Sequence, residues 1–278
     1  MIKRIENIED TPIELRQSHY SRIILSHIQT YGTEYDFCEL YELRQKGKRA
    51  AVFVSFNGSL VADVLEGVSL SGVSLRETAE FVRFKSPYAV ELSEDMTGKT
   101  GISGYQRSKR YFYEVSPWKT ADGIDFDPDA ETVYATAYSG KDSNYGLWLT
   151  DTVRRKNKDL LRLYSYKSSV LTVKCRSGGM AYIADVATLE ADRGKGYARA
   201  LLGGVAKLMA DEGYTSYLAA DDSTKGYYDL LGYKLIGTDN IYKIKDSINY
   251  EQIFYYRRKT FRAGKESRGG MQRGLCKN

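Results

Sequence analysis

At 278 residues the chain is long enough for one large domain or two modest ones, and 42% apolar content supports a packed core. No apolar run approaches the ~20 residues that cross a bilayer, and the opening Met1-Ile2-Lys3-Arg4-Ile5-Glu6 lacks the apolar stretch of a signal peptide, so a cytoplasmic protein with no membrane partner is expected. The net charge of +5 is uneven: residues 257–278 hold eight Lys or Arg against the single acid Glu266, a tail of +7 that leaves −2 for the rest. That tail is Gly-rich and polar, and is expected to be disordered and solubilising; any contact with nucleic acid is expected only there. Cys38, Cys175 and Cys276 lie far apart without metal-ligand spacing, so free thiols and no metal are expected. His19 and His27 fall on one predicted helix, where surface or packing roles are expected. Neither sits beside a nucleophile motif, which argues against a hydrolase with a histidine base.

In chain order, the patterning predicts a helix over 18–31, then strands over 40–43, 50–56 and 60–64, then a helix over 75–82. Residues 120–129, rich in Asp and carrying Pro128, read as a linker. A helix follows over 148–156, then strands over 160–167 and 169–176. The turn Ser177-Gly178-Gly179 leads to a strand over 181–189. The helix over 198–212 has one apolar face, made by Leu201, Leu202, Val205, Leu208 and Met209, and Gly213 ends it. A strand over 216–220 follows; Asp222-Ser223-Thr224 then caps a short helix over 225–231 that stops at Gly232. Residues 233–237 and 241–244 suit a final antiparallel pair.

Parts of this pattern occur twice. Leu40-Tyr41-Glu42-Leu43 parallels Leu163-Tyr164-Ser165-Tyr166, and Leu60-Val61-Ala62-Asp63-Val64 parallels Tyr182-Ile183-Ala184-Asp185-Val186. The predicted organisation is an N-terminal copy over 1–119, a linker over 120–129, a second copy over 130–256 and a basic tail over 257–278. The fold class is α/β, with a mixed, largely antiparallel central sheet flanked by helices and two tandem domains. A dinucleotide-binding sheet is excluded, because its glycine loop follows the first strand and an acid follows ~20 residues later. Here the loop follows the third local strand.

Arg193-Gly194-Lys195-Gly196-Tyr197-Ala198 carries the chemistry. A strand, a glycine turn and a helix start together expose backbone amides to an anion. Arg193, Lys195 and Arg199 add positive charge where helices ordinarily prefer acids. The N-terminal copy has Glu66-Gly67-Val68-Ser69-Leu70-Ser71-Gly72 instead, with no basic residue; its expected role is structural, or to wall off a substrate pocket.

The Arg-x-x-Gly-x-Ala spacing resembles the acetyl-coenzyme A (acetyl-CoA) loop of the Gcn5-related N-acetyltransferases. Tyr227-Tyr228-Asp229-Leu230-Leu231-Gly232-Tyr233 resembles that family's late Phe-Tyr-x-x-x-Gly-Phe element. The resemblance covers roughly residues 130–250. It implies acetyl transfer from acetyl-CoA, as cosubstrate, to a primary amine of a small molecule or peptide. It further implies that Val186, Ala187 and Thr188 pair with the pantetheine arm. The amides of Gly194, Lys195, Gly196, Tyr197, Ala198 and Arg199 then hold the pyrophosphate, with Arg193 fixing the loop or touching phosphate. Tyr228 takes the place of the tyrosine that protonates the leaving thiolate. Glu190, Asp185, Asp221 and Asp222 are acids near the cofactor end, and none is assigned as base. Tyr145, Trp148, Tyr164 and Tyr166 lie on elements that border the acceptor site. The family often carries Asn where Asp221-Asp222-Ser223 stands. The competing reading is a non-catalytic acyl-CoA sensor that docks through its basic tail.

Overall fold

The computed structural model describes residues 1–8, 15–93, 96, 102, 104–119, 121–140 and 143–244. The basic tail, with Cys276, lies outside the described residues. The N-terminal half runs β1 (Ile2–Arg4), α1 (His19–Tyr31), β2 (Cys38–Gln45), β3 (Lys48–Phe56), β4 (Ser59–Val64), α2 (Gly72–Lys85), β5 (Ala89–Leu92) and β6 (Tyr105–Glu114). The C-terminal half runs α3 (Ala130–Ala137), α4 (Tyr145–Asn157), β7 (Arg162–Tyr166), β8 (Ser169–Ser177), β9 (Met180–Thr188) and a 3-10 turn (Glu190–Asp192). It continues with α5 (Tyr197–Asp211), β10 (Thr215–Ala220), α6 (Lys225–Leu230) and β11 (Lys234–Ile244). The predicted elements are present apart from the final strand pair, and β1, β5, β6 and α3 join them.

The strands form one sheet in the order β1-β2-β3-β4-β5-β11-β6-β10-β9-β8-β7. Only β4–β5 and β9–β10 are parallel. Each half therefore repeats one unit: three antiparallel strands, a helix, and a strand parallel to the third. Asn57-Gly58, with φ of 45° and 84°, makes the tight turn between β3 and β4, the conformation a two-residue hairpin demands. At the far edge Asp125 bridges to Ser165 of β7, much as β1 pairs with β2, so part of the predicted linker is bonded to the sheet.

The final strands of the halves are exchanged. β6 of the N-terminal half pairs with β10, and β11 of the C-terminal half pairs with β5. β6 and β11 then pair with each other along their length. The antiparallel pair expected at 233–237 and 241–244 is therefore corrected: these residues are one strand, β11, with a bulge between Leu235 and Gly237. Thr238-Asp239-Asn240 reads as a turn by composition. It stays extended because the Asp239 carboxylate accepts from Arg110 Nε at 2.9 Å, from Arg110 Nη2 at 3.0 Å and from the Tyr20 hydroxyl.

The two faces carry different helices. α5 packs over Leu171, Val173, Ile183 and Leu218. α2 packs over Ala51, Phe53, Leu60 and Ala62. Tyr105 joins the α2 cluster and Tyr113 the α5 cluster; they alternate in phase along β6, so α2 and α5 share a face. α1 packs over Val52, Val54 and Val61, and α3 over Leu163 and Val170, on the opposite face.

Candidate functional site

The site begins where β9 and β10 part. They pair from Thr215↔Met180 to Leu218↔Ile183 and no further. β9 continues to Thr188 on β8 alone, while Ala219 and Ala220 go on pairing with β6. Residues 184–188 of β9 thus leave one backbone edge without a strand partner among the described residues. The expected cofactor-strand residues lie on this edge. Val186 packs against the core beneath α5, Ala187 against the α3 cluster, and Thr188 Oγ1 meets Ser169 Oγ at 2.7 Å. The strand bulges here, because Val170 pairs with Ala187 but Thr172 with Ala184. Asp185 takes up the extra residue with φ of 53°.

Past Thr188 the 3-10 turn leads into the glycine loop. Gly194 and Gly196 both have φ of 81°, a left-handed conformation that L side chains rarely adopt, and nothing lies within 4 Å of where either Cβ would be. The loop is therefore strained for any other residue and open to a ligand. α1 to α4 are capped by the side chains of Ser18, Ser71, Asp129 and Asn144, each accepting an amide of the first turn. α5 begins at Gly196 with no side-chain cap and no acid in its first turn, which leaves its leading amides free for an anion. Arg193 is exposed, 4.0 Å from Glu190, and Lys195 is ion-paired to Asp192. Tyr197 meets Tyr166 edge-on, while Ala198 is half-buried in the first turn of α5. Arg199 lies over the Trp118 ring at 4.2 Å.

Tyr228 is buried on α6, close to Tyr113, Tyr227 and Tyr233, and its hydroxyl has no hydrogen-bond partner among the described residues. Burial pushes its phenol well above the ordinary range, so it stays protonated. The four acids differ sharply. Glu190 is exposed. Asp221 Oδ1 holds the turn ahead of α6 through the amides of Ser223 and Thr224, each at 3.0 Å, while α6 itself begins after Thr224 with no side-chain cap, which corrects the cap expected from Asp222-Ser223-Thr224. Asp222 accepts from the Tyr111 hydroxyl at 2.8 Å. Asp185 accepts from the Tyr138 hydroxyl at 2.8 Å and faces Lys174 at 3.3 Å, while its Oδ2 is buried without a partner. The expected acceptor aromatics separate. Tyr145 and Trp148 gather with Tyr134 on the α3–α4 face, whereas Tyr164 is core beneath α5.

Two cavities adjoin the opening. The mouth cavity, about 430 Å³, is lined by β6, β10 and β11 and by Asp221, Asp222 and Ser223. A deeper one, about 260 Å³, lies between α1 and α4. Arg110 and Tyr182 line both. The patterning does not point to Glu91, Arg110 or Lys174, because each sits singly in a strand. His19 and His27, expected in surface or packing roles, line the deeper cavity. Burial, reinforced by neighbouring arginines, pulls both imidazoles well below their ordinary pKa and keeps them neutral.

Residues 155–233 match the model of the acetyltransferase (GNAT) family. The sheet is the GNAT acyltransferase fold. An acetyltransferase of the GNAT family from Colwellia psychrerythraea superposes with a TM-score of 0.54 at 13% identity, over 87% of this chain and 98% of that one. A GCN5-related N-acetyltransferase from Kribbella flavida gives 0.55 at 15% identity, over 84% and 98%. A tandem GNAT protein from the clavulanic acid biosynthesis pathway gives 0.53 at 9% identity, over 87% and 93%. No curated protein matches the sequence. Proteins of this family are in general acyltransferases.

Proposed function

We propose that the protein transfers the acetyl group of acetyl-CoA to a primary amine. The observation that carries this reading is the opening of β9 from β10, whose unpaired edge at 184–188 runs into an uncapped helix N-terminus. A ligand with amides along one stretch and phosphates further on suits that sequence of partners. Val186, Ala187 and Thr188 offer backbone to the amide-bearing arm. The amides from Gly194 to Arg199 offer donors to the pyrophosphate, and Arg193 and Lys195 add charge at the loop. The amine reaches the thioester from the mouth cavity. Its nitrogen, as the free amine, attacks the carbonyl carbon, the carbon–sulfur bond breaks, the departing sulfur takes the proton of the Tyr228 hydroxyl, and the proton that the nitrogen sheds restores the phenol. The Tyr228 hydroxyl has no competing acceptor among the described residues, and burial keeps it protonated until the departing sulfur draws its proton. In the same reading the chain divides at 120–129, and the N-terminal half, without a glycine loop of its own, walls the acceptor side.

Acetyl-CoA with a panel of primary amines, followed by free thiol release, tests the activity. Gly196→Asp tests the loop. It puts a carboxylate at a left-handed position in front of free amides. Acetyl-CoA affinity by calorimetry is expected to fall ~10–100-fold, the worth of one charge-assisted contact. An affinity within a factor of about two of the parent removes the loop from the site, because such a contact is worth more than that.

A further inference from the structure

The deeper cavity is built from both halves. α1 contributes His19, Ser26 and His27; α4 contributes Asp151 and Arg155; the sheet contributes Glu91, Arg110, Lys174 and Tyr182. Both signs of charge line it, yet most are already matched. Arg110 donates Nη1 to Glu91 Oε2 at 2.7 Å and its other nitrogens to Asp239. Arg155 donates Nε to Asp151 Oδ1 at 2.7 Å, Nη1 to Ser26 Oγ at 2.5 Å and Nη2 to His27 Nδ1 at 3.0 Å. Neither guanidinium has a nitrogen left over.

Lys174 is different. Its one ion pair among the described residues is with Asp185 Oδ1 at 3.3 Å, and an ammonium has three donors. Its side chain is 36% accessible although it lies inside the fold, because that surface faces the cavity. Tyr182, beside it, has a hydroxyl with no hydrogen-bond partner among the described residues. At the other end Glu91 engages Arg110 through Oε2, and its Oε1 has no partner among the described residues. Glu91 sits against Arg110, which, like Tyr182, lines both cavities. The neutral histidines add no charge. What stays unmatched among the described residues is the Lys174 ammonium beside Tyr182, Glu91 Oε1 across the cavity, and Asp151 Oδ2, whose partner oxygen Oδ1 is held by Arg155 and Tyr31.

We propose that this cavity binds a zwitterionic amine, its carboxylate on Lys174 Nζ and Tyr182 and its amine on Glu91 Oε1. A diamine would set one ammonium against Lys174, and a dicarboxylate would set one end against Glu91, so each leaves a buried like-charge contact. β8 and β5, which carry Lys174 and Glu91, stand five strand steps apart in the sheet. At ~4.8 Å per step, two long side chains narrow that gap without closing it. The ligand's charged ends are therefore several bonds apart, as in an ω-amino acid or a short peptide. Calling this ligand the acceptor rests on the acetyl-transfer reading; its binding does not.

The test is calorimetric titration of the full chain, without any acetyl donor, with ε-aminocaproate, hexamethylenediamine and adipate. These share a six-carbon skeleton and differ in their ends. ε-Aminocaproate is expected to bind most tightly. Lys174→Met should weaken it ~10–100-fold, as loss of a charge-assisted contact does, and Lys174→Arg should retain most of the affinity. If Lys174→Met does not fold, because Asp185 loses its cation, the double variant Lys174→Met with Asp185→Asn removes the pair together. Parental affinity in either Met variant overturns the proposal. So does equal binding of all three probes, or binding of none. Thiol release from acetyl-CoA separates the two ideas. Binding of ε-aminocaproate without thiol release leaves the cavity standing and defeats the acetyl-transfer reading. Thiol release with amines lacking a carboxylate, and no preference for ε-aminocaproate, does the reverse.

Discussion

Tyr227 and Tyr228 are adjacent, yet they are not equivalent. Tyr227 is 39% exposed, whereas Tyr228 is 7% exposed in the core beneath α5. Tyr228→Phe keeps the ring and removes only the proton donor, so packing and acetyl-CoA affinity should survive. Turnover at saturating acetyl-CoA should fall ~10²–10⁴-fold, the usual share of a general acid. Near-parental turnover in Tyr228→Phe, with loss in Tyr227→Phe, would move the role one residue back. The histidines give a second test at this scale. His19 and His27 have folded pKa values below the ordinary 6.5. Above that pH both folded and unfolded chains hold them neutral, and neither contributes. Below it the unfolded chain takes up protons that the fold refuses, so stability falls as pH drops. The slope is at most ~1.4 kcal/mol per pH unit for each histidine. Urea midpoints measured from about pH 7.5 down to about pH 5 should show the decline, and His27→Gln should make it shallower. An unchanged slope in that variant would mean that His27 charges freely in the fold.

Among the elements, α5 and the strands beside it were legible because their apolar periods are regular and glycines bound them. The glycine loop was legible because its spacing is local. β6 was not. Tyr-Gln-Arg-Ser-Lys-Arg-Tyr-Phe-Tyr-Glu runs five polar or charged residues together and then three aromatics, with no strand alternation, and its Arg110 is buried only because Glu91 and Asp239 of other strands neutralise it. β11 was broken in two for the matching reason: Asp239 looks like a turn residue until Arg110 is placed beside it. Partners that arrive from the other half leave no local pattern to read, and the deeper cavity is made almost entirely of such partners. The contact of α5 with the segment after β6 is a further case. A Cβ on Gly203 would lie 2.7 Å from Trp118 Cβ, and the Trp118 amide donates to the Gly203 carbonyl at 3.0 Å. Gly203→Ala must therefore displace Trp118, despite the better helix propensity of alanine. A destabilisation of ~1–3 kcal/mol is expected, typical of overpacking, read as a lower urea midpoint at unchanged slope. A more stable Gly203→Ala would show that the segment after β6 yields freely, and that Arg199 loses its stacking partner at no cost.

At the scale of the whole molecule, the exchange of β6 and β11 makes each half depend on the other. β10 has β6 as its second neighbour, and β5 has β11. The longest seam in the sheet centre is β6 against β11, from Lys234↔Glu114 to Ile244↔Tyr105. A fragment of residues 1–119 would keep β5 but lose the strand that covers its edge. A fragment of residues 120–278 would keep β10 but lose β6. Each would present an unpaired, largely apolar edge, the condition that drives strands to pair with whatever is available. The fragments expressed alone should therefore aggregate or lack a cooperative unfolding transition. Expressed together, they should co-purify as a one-to-one complex that unfolds in a single transition, with β6 and β11 crossing between them as they do in the intact chain. Hydrogen exchange on that complex should protect the amides of 107–113 and 235–243 together, because they pair with each other. Two fragments that each fold alone and ignore one another would mean that every half can close on its own last strand. The exchange would then not be what joins them, and the deeper cavity would have no fixed wall from α1.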